Sequence, residues 1–331
     1  MVAQIDKDYV SRSLRKTWIR LVSYSLFEGR PLTTRGRWIN PGVLLLARLI
    51  GNRAQSRSVT APLYILGQGR SGSTVLGLVL SMHREIAFLN EPKAVWHSAY
   101  PYEDLAGNFT DQPAKYALNS EDATYDVQRR LHNLYGAYLK ISGMQRVLDK
   151  YPELLFRVPF VIAIFPDARF LLLFRNGWDV CHSIDNWSRV HANADSNVLE
   201  DWWGKNDRKW HFLVDQLVIR EADLRNHASE LRTLDRQLDR AALEWILTMR
   251  EIRRVHTRYT DRTLLVSYES LVNTPRKILS EIMEFCALPL DENVLDFADD
   301  RLRESSSHKK FDLPEVLIDP FNSMLHDFGY L

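Results

Sequence analysis

The sequence predicts an α/β fold: a three-layer, P-loop-like arrangement with a central parallel sheet flanked by helices. Three observations carry this. The apolar run Leu63, Tyr64, Ile65, Leu66 ends in Gly67, passes through a glycine-rich turn, and resumes as apolar sequence over 75–80. That is the pattern of strand, turn and helix. Two more apolar runs, 169–174 and 263–268, read as strands covered on both faces. Between these runs lie stretches of helical periodicity at about 125–142, 178–189, 208–225, 229–257 and 275–286. In the longest, Leu231, Leu234, Leu238, Ala242, Trp245, Met249 and Ile252 recur at three- and four-residue steps and predict one apolar face. Alternating strands and helices imply a parallel sheet.

The 331 residues are 45% hydrophobic and 26% charged, with a formal net charge of +1. This balance is ordinary for a globular chain long enough to bury a full core. A near-neutral total argues against a nucleic-acid binder driven by phosphate neutralisation. Two cysteines, Cys181 and Cys286, are too few for a disulfide framework or a zinc site, so a reducing compartment is expected. The longest purely apolar run near the N-terminus, 43–47, falls far short of the ~20 residues of a spanning helix. The first residues also lack a signal-peptide layout. The expectation is a soluble, cytoplasmic protein with no membrane span.

Charge is unevenly spread. Residues 1–60 hold eleven Lys/Arg against three acids, about +8, which leaves about −7 for the remainder. Apolar positions such as Trp18, Leu21, Leu26 and 44–46 suggest short amphipathic helices there. The expected organisation is a basic helical N-terminal extension, 1–60, followed by the main domain, 61–331. Packing on the domain, contact with an anionic surface, and a partner-binding arm all fit the extension's pattern.

The turn after the first strand reads Gly67-Gln68-Gly69-Arg70-Ser71-Gly72-Ser73-Thr74. A glycine-rich loop entering a helix is a phosphate cradle, because backbone N–H groups and the positive end of the helix dipole converge on an anion. Against the nucleotide-triphosphatase pattern G-x-x-x-x-G-K-[ST], Gly67, Gly72 and Thr74 fall in place, but Ser73 stands where the lysine belongs. Such a loop is poorly suited to triphosphate hydrolysis. Its cation is Arg70, three residues earlier.

The loop Gly69-Arg70-Ser71-Gly72-Ser73-Thr74, together with Arg175-Asn176-Gly177-Trp178-Asp179-Val180-Cys181-His182-Ser183, resembles the sulfotransferase family. Those enzymes use 3′-phosphoadenosine 5′-phosphosulfate (PAPS) as sulfuryl donor. The resemblance implies that the first loop holds the 5′-phosphosulfate. It also implies that Arg175 and Ser183, at the family's eight-residue spacing, hold the 3′-phosphate; the intervening Asp179 and Val180 match too. The likeness extends from about 62 to 310. Residues 90–97 are similar to the Glu-Pro-x-Trp-His stretch of carbohydrate sulfotransferases, with two extra residues before Trp96-His97. Asp149-Lys150-Tyr151-Pro152 resembles the lysine-x-proline element of tyrosylprotein and bacterial members. Tyr268-Glu269-Ser270-Leu271 is similar to the family's Tyr-Glu-x-Leu, whose tyrosine lies near the donor nucleotide. The five motifs occur in family order.

Treated by analogy with phosphoryl transfer, sulfuryl transfer passes through a loose, in-line transition state governed by positioning and charge. Arg70 and the loop N–H groups are expected to stabilise the leaving phosphate. The resemblance makes Lys150 the second cation, near the bridging oxygen; without it, a solvated lysine beside Pro152 is the simpler reading. The attacking acceptor needs a base. Glu91 follows the apolar stretch Ile86, Ala87, Phe88, Leu89, which would set it at the carboxyl end of a strand, facing the ligand crevice of such sheets. In tyrosylprotein sulfotransferases a glutamate stands the same twenty-one residues after the loop arginine. Many cytosolic members use a histidine, so His97 and His182 are alternatives. Arg175 suits a phosphate through its bidentate fork. In the polar, basic segment 305–310, Ser307 and Lys309 are candidates for further 3′-phosphate contacts, with a solvated loop as the alternative. The histidines and acids show no metal-ligand spacing, so no metal is expected.

On the acceptor side, the aromatics Trp96, Tyr100, Tyr102, Phe109 and Tyr116 follow Glu91, and Trp187, Trp202, Trp203 and Trp210 flank a polar loop that reads as a lid. Aromatic faces suit sugars and phenols alike, and about half of these residues are expected in the core. The expected partner is a small-molecule or carbohydrate acceptor, with sulfation of a hydroxyl or amine. Homodimerisation and acceptor identity stay open. Two other classes compete: a P-loop kinase or ATPase, and a non-catalytic nucleotide-binding module.

Overall fold

The computed structural model describes residues 4–54, 57–195, 198–303 and 309–331. Three helices precede the first strand: α1 (Lys7–Arg12), α2 (Leu14–Leu26) and α3 (Asn40–Gly51). Strand β1 (Leu63–Gly67) then runs through the glycine-rich turn into α4 (Ser73–Leu80). Strand β2 (Ile86–Asn90) leads to α5 (Lys93–Ala99) and α6 (Tyr125–Ser142), and β3 (Arg146–Lys150) to α7 (Val158–Ile164). Strand β4 (Arg169–Phe174) enters α8 (Gly177–His191). A small antiparallel sheet follows, β5 (Asn193–Asp195), β6 (Val198–Asp201) and β7 (Gly204–Lys205), in that order across the sheet. Helices α9 (Arg208–Gln216), α10 (Ala228–Arg232) and α11 (Gln237–Arg258) come next. Strand β8 (Thr263–Ser267) passes into α12 (Tyr268–Asn273), α13 (Pro275–Phe285), α14 (Glu292–Arg301) and α15 (Glu315–Asp327).

The five main strands form one parallel sheet in the order β2-β3-β1-β4-β8. Side chains alternate across it. Tyr64 and Leu66 of β1 join a core with α5, α6, α8 and α11, while Leu63 and Ile65 join a second core with α4, α13 and α14. Both faces are therefore covered, which is why these strands read as unbroken apolar runs. The chain reverses its direction of progress at β1, so the carboxyl ends of β1, β3 and β4 frame the crevice where open α/β sheets bind ligands.

Strand β3 escaped the sequence reading as a strand because Arg-Val-Leu-Asp-Lys holds only two apolar residues. Its Asp149 is nevertheless buried in the sheet, accepting hydrogen bonds from Trp96 Nε1 (2.8 Å) and the Tyr135 hydroxyl. The long helix expected over 229–257 is two helices, and Leu231 and Leu234 do not belong to the apolar face of α11. Arg236 is extended, and the Leu234 carbonyl is taken by Arg240 Nε (2.5 Å) instead of an intrahelical donor. Likewise, the stretch 208–225 stops being α-helical after Gln216 and continues as a short 3₁₀ turn through β-branched Val218-Ile219.

The N-terminal helices share the main core rather than standing apart from it: Ile19, Val22 and Ala47 lie within it. Helix α2 runs along β2, the edge of the sheet. Lys16 Nζ donates to the carbonyls of His83 and Ile86 at the start of β2, and Glu28 Oε1 accepts from Asn90 N–H (2.9 Å) at its end. An edge strand that would otherwise invite pairing with another chain is thus covered.

Candidate active site

A cleft of about 910 Å³ opens at the carboxyl ends of β1, β2 and β3. One wall is the turn from β1 into α4. Gly67 has φ +133°, and a Cβ there would stand 2.0 Å from the Leu173 carbonyl oxygen. Gly72, at φ +90°, has no room for a Cβ against the Tyr268 ring. Only glycine fits either position. Between them Arg70 adopts φ +71°, and its Nε donates to Ser183 Oγ (3.2 Å), tying the turn to α8. Ser71 is fully buried, and its Oγ has no hydrogen-bond partner. An unpartnered buried hydroxyl in a tight N–H-rich turn fits an anionic ligand.

Arg175 leaves the end of β4 and is buried. Its Nη1 donates to the Arg70 carbonyl (3.4 Å), its Nη2 approaches Asp179 Oδ2 (3.5 Å), and its guanidinium lies 4.5 Å from the Tyr268 ring centre. Glu269 fixes this corner. It accepts from Asn176 N–H (3.0 Å), Ser267 Oγ (2.9 Å) and the Tyr330 hydroxyl (2.8 Å), which locks the start of α8 to α12. The Tyr-Glu pair therefore divides its work: Tyr268 faces the cradle and Glu269 anchors it. The structure brings Gly69 to Thr74, Arg175, Ser183 and Tyr268 to one wall.

The opposite part of the cleft centres on Glu91 and Lys150. Glu91 follows β2 as expected, with φ +49°, and its N–H donates to the Lys150 carbonyl (2.7 Å). The Lys150 ammonium donates to Glu91 Oε1, and Lys93 Nζ lies 3.8 Å from Oε2. Burial would raise the Glu91 pKa, but the charges of Lys150, Lys93 and Lys209 outweigh it and hold the carboxyl at about 2. His97 is not part of this group. It is buried on α5 against Phe109 and lines a separate cavity of about 220 Å³ with Arg48 and Arg130. His182 Nε2 bonds the Lys309 carbonyl (2.9 Å), which brings the Lys309 backbone against α8. Ser307 lies outside the described residues.

Of the aromatics flagged in the sequence, Trp187 and Trp202 line the cleft, Tyr116 borders it while itself buried, and Trp96, Trp203 and Trp210 are buried in the core. Two features were not foreseen. One is a buried cluster beside the turn: Glu244 accepts from Gln68 Nε2 (2.8 Å) and Trp202 Nε1 (2.8 Å) and pairs with Lys209 (2.6 Å). The residues come from four separate segments, so no spacing announces them. The other is the turn from Gly29 to Arg35, which lines the cleft from the N-terminal segment. It is held by the buried Arg20–Glu28 pair, by Leu32 N–H on Asn108 Oδ1 (3.1 Å), and by reciprocal bonds between Arg30 and Asn40 (2.8 and 2.9 Å). Its Gly-Arg-Pro sequence signals a turn but not a location.

Among the described residues, no group of three His, Cys, Asp or Glu side chains is arranged to hold a metal ion, and no helix is long and apolar enough to cross a membrane. Cys181 and Cys286 are both buried thiols.

Comparison with known proteins gives a match to the model of the sulfotransferase family over residues 62–292. An uncharacterized protein of Aquifex aeolicus (strain VF5) is 22% identical over 248 residues, 71% of this chain and 26% of that protein, so the chain spans about a quarter of that relative's length. Similar solved structures include the sulfotransferase domain from the curacin biosynthetic pathway, with 14% identity over 83% of this chain and 99% of that one, TM-score 0.46. Another is the sulfotransferase domain of the Synechococcus PCC 7002 olefin synthase, with 20% identity over 85% and 99%, TM-score 0.47. A sulfotransferase from Mycobacterium tuberculosis H37Rv has 15% identity over 98% and 94%, TM-score 0.48.

Proposed function

The chain belongs to the sulfotransferase family, and from that premise we propose that it moves a sulfuryl group from PAPS to a hydroxyl or amine of a small-molecule or carbohydrate acceptor. PAPS would supply the activated sulfuryl group and leave as 3′-phosphoadenosine 5′-phosphate (PAP). The observation that carries the reading is that one cleft joins the glycine-rich cradle to the Lys150–Glu91 pair.

In this reading the N–H groups of 71–74 and Arg70 bind the 5′-phosphosulfate, and Arg175, Ser183 and Tyr268 hold the nucleotide's 3′ side, with Lys309 and Ser307 as further candidates. Arg70, Lys150 and Arg175 neutralise donor charge without a metal ion. Lys150 faces the bridging oxygen, and Glu91 takes the acceptor proton. The low pKa of Glu91 bears on the order of events. While Lys150 is paired with it, the carboxylate is a weak proton acceptor. A donor anion draws on the same ammonium. As the Lys150 charge turns toward the donor, the proton affinity of Glu91 rises toward that of an ordinary carboxylate. Glu91 is favoured over His97 because it shares the cleft with the cradle.

The test is incubation with sulfur-labelled PAPS and a panel of hydroxyl and amine acceptors, read as PAP release and label transfer. Transfer that depends on an acceptor supports the reading. PAP binding without transfer to any of the panel would favour a nucleotide-binding module.

A further inference from the structure

Helices α2 and α3 each have two apolar faces, where folding requires one. On α2, Ile19 and Val22 face the core, while Leu14, Trp18 and Leu21, at spacings of four and three, face water with 76%, 62% and 37% of their surface exposed. On α3, Val43 and Ala47 face inward, while Leu45 and Leu49 are 59% and 52% exposed. Trp38, just before α3, is 85% exposed. Seven of the seventeen exposed large apolar side chains among the described residues fall between 14 and 49.

The segment's own exposed charge is one-sided, and Arg12 and Arg37 are met by Asp300 and Glu200 from elsewhere in the chain. Lys7, Arg15, Arg35, Arg48 and Arg53 are exposed cations, and Asp8 is the one exposed acid among residues 4–54. Exposed Trp and Leu flanked by Arg and Lys match the interface of an anionic bilayer. There the apolar side chains enter the headgroup boundary and the cations meet lipid phosphates. Two copies joined symmetrically through this face would set two segments of about +8 against each other, which disfavours a homodimer here.

We propose that the outward faces of α2 and α3 dock the protein on an anionic lipid surface. The turn between these helices, Gly29 to Arg35, lines the cleft, so docking would carry that rim of the cleft to the lipid. Taken with the proposed reaction, on which this last step rests, the acceptor would be one presented at a membrane.

The test is co-sedimentation of the full chain with vesicles of phosphatidylcholine containing one-third phosphatidylglycerol, beside vesicles of phosphatidylcholine alone, at low and high salt. Binding is expected to the mixed vesicles at low salt and to weaken by roughly tenfold or more in high salt or without phosphatidylglycerol. The double variant W18S/W38S should lose binding by roughly tenfold while keeping its melting temperature and PAP affinity, since both side chains are exposed. Equal binding to both vesicle types, no binding to either, or binding untouched by W18S/W38S would overturn the proposal. Concentration-dependent self-association abolished by the same variant would overturn it in favour of a second copy of the chain. None of these readouts uses turnover, so the docking and the sulfuryl-transfer reading stand or fall separately.

Discussion

The two walls of the cleft are built differently. The cradle wall comes from β1–α4, the β4–α8 junction and α12. Each of its contacts is made by a residue close in sequence to a strand end: Gly67, Gly72 and Arg70 on one turn, Arg175 and Ser183 on one strand–helix step. The facing wall draws on Gly29 to Arg35, Glu91 and Lys93, Asn108 and Tyr116, and Lys150, while the Glu244, Lys209 and Trp202 cluster backs the cradle turn through Gln68. No two of these segments are joined by a short loop with a recognisable pattern. Under the proposed reaction the cradle wall takes the donor and the facing wall the acceptor, so donor binding is encoded locally and acceptor binding by the tertiary fold. The difference teaches that binding a common ligand can be written in a few adjacent residues, whereas a site for a particular one depends on the whole fold.

This contrast is open to direct attack. The largest effect is expected where the walls meet. Lys150→Ala should lower turnover by about 10³-fold, and Glu91→Gln by about 10²-fold or more, while PAP affinity changes little. Measuring PAP release beside PAP binding checks this; lost PAP binding in either variant would move these residues onto the donor wall. Arg175→Ala should do the reverse, weakening PAP by about tenfold to a hundredfold, the loss of a charge-assisted hydrogen bond. Calorimetric titration reads it, and unchanged PAP affinity would dissociate Arg175 from the nucleotide.

Asp149 lies one residue before Lys150, and burial raises its pKa from 3.8 to about 7, against the hydrogen bonds from Tyr135 and Trp96. Folding therefore favours the protonated acid. That stability is fully present below about pH 4 and is lost as the pH rises through about 7. Asp149→Asn should remove the loss, gaining on the parent by on the order of 4 kcal/mol between pH 4 and pH 8. Denaturant unfolding across this range would give parallel pH profiles if the carboxyl did not titrate there.

The smallest effect tests the acceptor wall. Asn108→Ala removes the hold on Leu32 N–H. Once an acceptor is found, its KM should rise about fivefold, a hydrogen bond's worth of roughly 1 kcal/mol, with PAP affinity unchanged. A change in PAP affinity would mean that the N-terminal turn serves the donor instead.

How much was readable in advance follows the same division. β1, β4 and β8, the glycine-rich turn, α6 and α8 are legible because apolar runs and helical spacing are local properties. Glu91 was found through the strand it follows. β3 was hidden by the charges of Asp149 and Lys150, whose burial depends on Trp96, Tyr135 and Glu91 from distant segments. His97 lies on α5 against Phe109 and lines a separate cavity, a placement that a motif likeness does not resolve. At the break before α11 Arg240 takes the Leu234 carbonyl, a contact with no signature in periodicity. The Lys209–Glu244 pair and the turn at 29–35 required the folded chain.

The central claim is that the cradle is built for a sulfuryl donor. Its most direct test is thermal stabilisation by PAP beside ATP with magnesium, since a ligand that binds the folded state raises the melting temperature. The account predicts a clear upward shift with PAP and little with ATP and magnesium, because Ser73 occupies the lysine position of a triphosphate loop. A shift with ATP and magnesium alone would contradict it and favour a divergent P-loop phosphotransferase.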